Sequence, residues 1–170
     1  MRIILILSLL FSLQLQAKSK TRHSQKVKSF EAEIISCHDG DTCKAVYKKE
    51  KIKIRFSGID APEIKQREGK LSKQYLNELL AGKTVNLECN GKSYDRLTCT
   101  VFLGAVEINQ QMVDKGFAFD SPKYSKGKYQ QAMMQAKSAQ LGIWKTIQTS
   151  PFCTRHVNNA KCKADSLYNQ

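Results

Sequence analysis

The chain has 170 residues, of which 41% are hydrophobic and 25% are charged, and this composition excludes a disordered chain and a multi-span membrane protein. The length suits one domain of ordinary size, with some chain left over for a tail. Lysine and arginine number 28 against 15 acids, and the formal net charge of +13 indicates a polyanionic partner: nucleic acid, an acidic membrane surface or an acidic polysaccharide.

The first 17 residues have the pattern of a secretory signal peptide. Arg2 is their one charge, an apolar run follows it, and Ala17 provides a small residue at the expected cut site. The apolar run is shorter than the roughly 20 residues that a stable membrane span needs, although an uncleaved anchor is the alternative. We therefore expect an exported protein, secreted or periplasmic, with no membrane span once residues 1–17 are removed.

Residues 18–29 carry five basic side chains and no acid, which predicts a cationic arm. From Phe30 onwards, alternating and helical apolar patterns indicate a single domain that ends near Lys145. Five strands are expected at 30–34, 42–47, 52–59, 85–87 and 97–103, with an Asn-Gly turn at 90–93. Three helices are expected at about 71–80, 108–115 and 126–140, followed by glycines 82, 116 and 142. Residues 146–170 are expected to form a tail.

This order of elements predicts an α+β domain built on a five-stranded OB-fold β-barrel with three helices. In the third strand, Ile52, Ile54 and Phe56 lie on one face. The other face carries Lys51, Lys53 and Arg55.

Six cysteines in a chain expected to be exported predict disulfides, and fifteen pairings are formally possible. Sequential pairing is preferred because the first two pairs each bracket an expected hairpin turn: Cys37–Cys43, Cys89–Cys99 and Cys153–Cys162. The first pair depends on the turn. A three-residue loop at 39–41 places Cys37 opposite Cys43, whereas a two-residue loop turns Cys43 to the other face.

Acidic residues are scarce, and four of them lie at two strand ends. Asp39 and Asp41 flank Gly40, while Asp60 and Glu63 follow the third strand. Either pair alone is typical of a hairpin turn or of a strand terminus. Together, in a basic chain, the four acids would repel one another unless a cation held them, and oxygen ligands of this kind suit Ca²⁺ or Mg²⁺.

Two arginines, Arg55 and Arg96, belong to strands that border these acids. A planar guanidinium suits a phosphate better than an ammonium group does. A metal ion and arginines neutralise charge that develops on phosphoryl oxygens, and a carboxylate orients or deprotonates the attacking water. The combination therefore indicates phosphodiester cleavage.

The motifs in chain order resemble the staphylococcal nuclease (thermonuclease) family over about residues 32–145. The segments that carry this resemblance are Asp39-Gly40-Asp41-Thr42, Ile54 to Glu63, Tyr94-Asp95-Arg96 and Gly142-Ile143-Trp144. The resemblance implies an OB-fold, Ca²⁺-dependent endonuclease that acts on DNA and RNA and leaves 3′-phosphates. Nothing in the sequence calls for an obligate protein partner, and we expect a monomer.

Carried over by position, the resemblance gives each site residue a role. Asp41 and Asp60 would bind Ca²⁺ through their carboxylates and Ala61 through its carbonyl. Asp39 would not touch the ion but would contact the residues that bind it. Arg55 and Arg96 would hold the scissile phosphate, and Glu63 would position or activate the water. Tyr94 and Tyr124 are the candidates for contact with the nucleotide.

One departure concerns the phosphate-binding arginines. The family usually has glycine where this chain has Asp95, and an acid there could pair with Arg96 and weaken its hold on phosphate. A barrel that binds nucleic acid without cutting it is therefore the main alternative function. A cationic exported protein directed at membranes or acidic glycans is a third possibility, but it leaves the acid cluster without a purpose.

Overall fold

The computed structural model describes residues 27–147 and 150–155. The expected signal peptide, most of the basic arm and Cys162 of the third expected disulfide lie outside these residues. The strands are β1 (Lys28–Cys37), β2 (Thr42–Tyr47), β3 (Glu50–Phe56), β4 (Ile59–Asp60), β5 (Thr84–Ser93), β6 (Arg96–Leu103), β7 (Val106–Glu107) and β8 (Phe119–Asp120). The helices are α1 (Gly69–Leu80), α2 (Ile108–Asp114), α3 (Pro122–Ser125), α4 (Gln130–Ser138) and α5 (Pro151–Arg155), with a 3₁₀ turn at Gly142–Lys145.

Five of the strands close into a barrel in the order β3-β2-β1-β5-β6. All neighbours along this order are antiparallel, and a parallel pairing of β3 with β6 closes the barrel. The alternation in β3 explains its two faces, since Ile54 and Phe56 are fully buried whereas Lys51 and Lys53 are exposed. The predicted α+β fold with a five-stranded barrel is confirmed.

Helices cover the barrel and complete its core. Leu76 and Leu80 of α1 and Met112 and Val113 of α2 are completely buried in the same cluster as the inward side chains of the strands. The predicted glycine termini of α1 and α2 are confirmed, because Gly82 and Gly116 both adopt positive φ just beyond these helices.

Three predicted elements are wrong in extent. The expected strand 52–59 breaks at Gly58, whose φ is +74°, and its end forms β4, which pairs with β8. The expected turn at 90–93 is a strand: the Asn-Gly pair forms a bulge between Cys89 and Gly91, and the chain reverses at Tyr94-Asp95. The expected helix 126–140 begins only at Gln130, since Lys126 and Gly127 adopt left-handed conformations.

Other details also differ from the sequence prediction. Strand β1 begins at Lys28, two residues before the expected start of the domain. The described residues contain two short helices, α3 and α5, beyond the three expected. No helix in this part of the chain is long and apolar enough to cross a membrane.

Candidate active site

The first acidic pair lies on a tight loop between β1 and β2. Cys37 and Cys43 are paired across the two strands and joined by a disulfide, and the His38 amide donates to the Thr42 carbonyl at 2.7 Å. The chain therefore uses the three-residue loop, and the first predicted disulfide is present. The second, Cys89–Cys99, is present as well and joins β5 to β6.

Helix α1 holds this loop from behind through a side-chain amide. Asn77 accepts from the Cys37 amide at 2.9 Å, and its amide group donates to the Cys37 carbonyl at 3.3 Å. Gly40 packs so closely on the helix that a Cβ there would lie 1.8 Å from the Ser72 Oγ and 2.7 Å from the Ala61 Cβ. The central residue of the Asp-Gly-Asp loop is thus glycine because a side chain has no space.

Both carboxylates of the loop are buried, and they turn towards different partners. Asp39 accepts a hydrogen bond from the Asp41 amide at 3.0 Å. The Asp41 Oδ2 accepts from the Ala61 amide at 2.7 Å, and its Oδ1 accepts from the Thr42 hydroxyl at 3.1 Å. The bond to Ala61 links the first acidic loop directly to the second.

Arg55 brings the two acidic segments together. Its Nη2 lies 3.1 Å from the Asp41 Oδ2 and 3.5 Å from the Asp60 Oδ1, while its Nη1 donates to the Phe56 carbonyl at 2.8 Å. Strand pairing explains this arrangement, since Arg55 lies opposite Thr42, the residue after Asp41. Acids that are 19 residues apart in the chain therefore share one guanidinium.

The second predicted arginine borders the same loop. The Arg96 Nη1 donates to the Thr42 Oγ1 at 3.3 Å, and its Nη2 donates to the Ser93 Oγ at 3.4 Å. Both arginines are only partly buried.

Asp95 has a closer partner than Arg96. Asp95 forms an ion pair with Lys53 of β3, with 2.5 Å between the Nζ and the Oδ2, and the Lys53 hydrogen bond lowers the pKa of Asp95. Arg96 instead contacts Thr42 and Ser93. Asp95 therefore forms its ion pair with Lys53 rather than with Arg96, because the ammonium group of Lys53 is closer, while the charge of Arg96 makes a smaller contribution to the lowered pKa of Asp95.

Burial raises the pKa of Asp41 to about 6, against the opposing effect of the Arg55 guanidinium and with a further contribution from Asp39. One arginine thus offsets the negative charge of this loop only in part. A carboxylate in such an environment is suited to a cation.

The remaining predicted residues lie around this cluster. Glu63 is exposed on the loop after β4, where its amide donates to the Gln66 Oε1 at 2.7 Å. Tyr94 occupies the β5–β6 turn with 94% of its surface exposed, and Tyr124 lies on α3 with 69% exposed. The structure shows both tyrosines with exposed rings outside the buried acidic cluster.

The residues present fit a hard cation with a large share of water ligands. Among the described residues, no three histidine, cysteine or acidic side chains surround a common point. Asp41 and Asp60 nevertheless approach one guanidinium, and Ala61 lies beside them through its hydrogen bond to Asp41. Two carboxylates and a carbonyl leave several positions for water, which Ca²⁺ accepts within its 6–8 oxygen ligands.

Sequence reasoning missed the residues that hold the site in place. Asn77 of α1 is hydrogen-bonded to Cys37 at the base of the acid loop, and Ser72 of the same helix packs against Gly40. Thr42 links Asp41 to Arg96. Asn77 and Ser72 lie three or four residues from Leu76 or Leu80 and so fall on the apolar side of α1. Polar residues on that side were the sequence signal that could have identified them as supports of the site.

Comparison with known proteins gives consistent results. The sequence model described as staphylococcal nuclease homologue matches residues 53–146. An uncharacterized endonuclease of Haemophilus influenzae is 37% identical over 114 residues, which are 65% of this chain and 64% of that protein. A micrococcal nuclease of Shigella flexneri is 31% identical over 134 residues, 68% of this chain and 74% of that protein. A probable staphylococcal-like nuclease of rice is 36% identical over 96 residues, 55% of this chain but only 19% of that longer protein.

Proposed function

The chain belongs to the staphylococcal nuclease family, and from this premise we propose that it is an exported, Ca²⁺-dependent endonuclease that hydrolyses DNA and RNA. The observation that carries the proposal is the convergence of Asp41, Asp60 and Arg55 at one edge of the barrel, with Arg96 beside them on Thr42. The alternative is a barrel that binds nucleic acid without cleaving it. Two acids and two arginines in one place favour cleavage.

Arg55 and Arg96 hold the scissile phosphate from two strands. Each guanidinium presents several N–H donors in a plane, which matches the oxygens of a phosphodiester. Arg55 is held by a backbone carbonyl and Arg96 by two hydroxyl groups, so part of the cost of ordering these long side chains is met before substrate binds.

Glu63 positions the attacking water and accepts its proton. It is the one predicted catalytic acid that is exposed, and only Pro62 separates it from Asp60 and Ala61 along the chain. A carboxylate open to solvent can receive a proton and return it to bulk water after each turnover. The water oxygen bonds to phosphorus, the bond between phosphorus and the leaving 5′-oxygen breaks, and that oxygen takes a proton from solvent, so that a 5′-hydroxyl and a 3′-phosphate remain.

Asp41, Asp60 and the Ala61 carbonyl would hold the metal ion, with Asp39 fixing the loop through the Asp41 amide. A bound Ca²⁺ ion would supply positive charge for the developing phosphoryl oxygens and an ordered water.

Export is supported by the two disulfides among the described residues and by the signal-like start of the sequence. We propose a secreted or periplasmic location and a monomer without an obligate protein partner. The net charge of +13 attracts a polyanionic substrate.

Digestion of single-stranded DNA and RNA in Ca²⁺, Mg²⁺ or a chelator tests this function, with the product ends labelled. We expect cleavage of both substrates in Ca²⁺ alone and products that accept a label at the 3′ end only after phosphatase treatment. Binding without cleavage in every metal would support the non-catalytic alternative instead.

A further inference from the structure

The β2–β3 hairpin is the most basic element of the described barrel, and the proposed reaction uses only its Arg55. Residues 42–56 contain five lysines, one arginine and a single acid. Along β3, Lys51 and Lys53 share a face with Arg55 at two-residue intervals, which are about 6.6 Å apart in an extended strand. A row of cations therefore runs along the hairpin and ends at the guanidinium of the site.

Strand pairing adds a second cation to this row. Lys44 of β2 lies directly opposite Lys53, and both side chains are exposed. Like charges in direct cross-strand pairs are destabilising, so the fold itself gains nothing from this pair. Asp95 neutralises Lys53, and no described ion pair compensates Lys44 or Lys51.

The turn of the hairpin also carries basic residues at positions where other residues would stabilise the fold more. Tyr47 pairs with Glu50, so Lys48 and Lys49 form a two-residue turn, with φ values of +49° and +69°. Asn-Gly is the favoured pair for such a turn, because side chains larger than these resist positive φ. Two lysines there cost local stability and place two more charges at the tip.

We propose that the outer face of this hairpin, with its uncompensated cations Lys44, Lys48, Lys49 and Lys51, binds the phosphodiester backbone of a polynucleotide beyond the scissile phosphate. This inference rests on the proposed nuclease function and specifies its substrate as a polymer rather than a short oligonucleotide. Phosphates that follow the scissile group along the strand meet the cations that follow Arg55 along β3.

Two double variants test the proposal without depending on catalysis. Fluorescence anisotropy measures binding of a single-stranded 20-mer in chelator over a series of salt concentrations. For Lys44→Ala/Lys51→Ala we expect roughly tenfold weaker binding and a log–log salt slope shallower by about 1.4, at about 0.7 per lost phosphate contact. Lys83→Ala/Lys115→Ala removes two exposed lysines outside the hairpin and is the matched control.

The second double variant, Lys48→Asn/Lys49→Gly, improves the turn while it removes charge. Its thermal midpoint should equal or exceed that of wild type, whereas its 20-mer affinity should fall, so misfolding cannot explain the loss. In the cleavage assay, the Lys44/Lys51 variant should lose at least about fivefold more kcat/KM on the 20-mer than on a dinucleotide.

Equal losses in the hairpin and control variants would overturn the proposal, since the attraction would then be general surface charge. Retained 20-mer affinity in both hairpin variants would overturn it as well. So would hairpin variants that bind anionic phospholipid vesicles more weakly than wild type does but bind the 20-mer equally well. Failure of the nuclease function itself is distinguishable, because wild type would then cleave neither substrate while the anisotropy comparison still applied.

Discussion

Asp41 and Arg55 form the central contact of the site. Asp41 is buried with Arg55 as its ion-pair partner, and Arg55 also approaches Asp60. Removing one member of a buried, hydrogen-bonded charge pair leaves the other uncompensated, which is costly. The two residues consequently have structural effects as well as the proposed catalytic ones, and variants must be chosen to separate these effects.

Arg55→Lys keeps a positive charge beside Asp41 but removes the planar pair of N–H donors. We expect kcat on single-stranded DNA to fall by about 10²-fold, with a small change in thermal midpoint, because an ammonium group cannot hold phosphate and carboxylate oxygens together. Arg67→Lys, at an exposed arginine on the loop before α1, should change neither quantity. A fully active Arg55→Lys protein would contradict this role.

The raised pKa of Asp41 predicts how stability depends on pH in the absence of metal. The pKa is about 6 in the folded protein and near 3.8 in the unfolded chain, so the folded state binds the additional proton between these values. The stability that Asp41 contributes is therefore fully present below pH 4, and about 2–3 kcal/mol of it is lost as the pH rises through 6.

Asp41→Asn removes this titration. In chelator, the thermal midpoint of wild type should decline from pH 4 to pH 7 relative to that of the variant, which has no carboxyl group to ionise at this position. Parallel midpoint curves for the two proteins would contradict the buried, incompletely compensated charge.

In the β5–β6 hairpin, the local sequence predicts the turn at the wrong position. Asn90-Gly91 has turn chemistry, yet it forms a bulge because strand pairing continues to Ser93 and Arg96. The turn then falls at Tyr94-Asp95, which brings Asp95 to Lys53. The register depends on pairing across the sheet, so it could not be obtained from the local residues alone.

Asp95→Asn tests the corrected pairing. The Lys53–Asp95 ion pair is exposed and screened by solvent, so we expect kcat/KM within about fivefold of wild type. A gain of more than tenfold would show that Asp95 does restrain Arg96. Asp114→Asn on α2, also an exposed acid, is the control for the change in net charge.

The loop between β1 and β2 combines three restraints on the acids: the Cys37–Cys43 disulfide, the Asn77 side chain and the packing of Gly40. We expect Cys37→Ser/Cys43→Ser to lower kcat/KM by about tenfold or more at a temperature where the protein is folded, because small displacements of reacting groups are costly. Cys89→Ser/Cys99→Ser removes a disulfide away from this loop and should chiefly lower the thermal midpoint. Equal activity losses would contradict a specific role for the first disulfide.

For the whole molecule, the sequence predicted the barrel, the first two disulfides and the elements that carry the acids and arginines. These predictions were correct because alternation, helical spacing and cysteine separation are local properties of the sequence that the fold preserves. The supports of the site were not predicted. Asn77 reaches Cys37 across 40 residues, and Lys53 reaches Asp95 across 42. Such contacts arise only once the barrel has closed.

The charge of the molecule has two parts with different consequences. The general excess of lysine and arginine attracts any polyanion, whereas the acids at the Asp-Gly-Asp loop and after β4 are concentrated at one edge of the barrel. A binding protein would gain from losing these acids, since they repel phosphate. Their retention beside two arginines is the molecular feature that favours cleavage over binding.

Cleavage of single-stranded DNA by wild type and by Glu63→Gln, each with Ca²⁺ and with chelator, tests whether the protein is a Ca²⁺-dependent nuclease that uses Glu63. Glu78→Gln, which alters an exposed acid of α1, is the matched control. We predict Ca²⁺-dependent cleavage by wild type and the control, and a loss of at least about 10²-fold in kcat for Glu63→Gln with its thermal midpoint retained. Undiminished cleavage by Glu63→Gln, or wild-type cleavage that persists in chelator, would contradict the account.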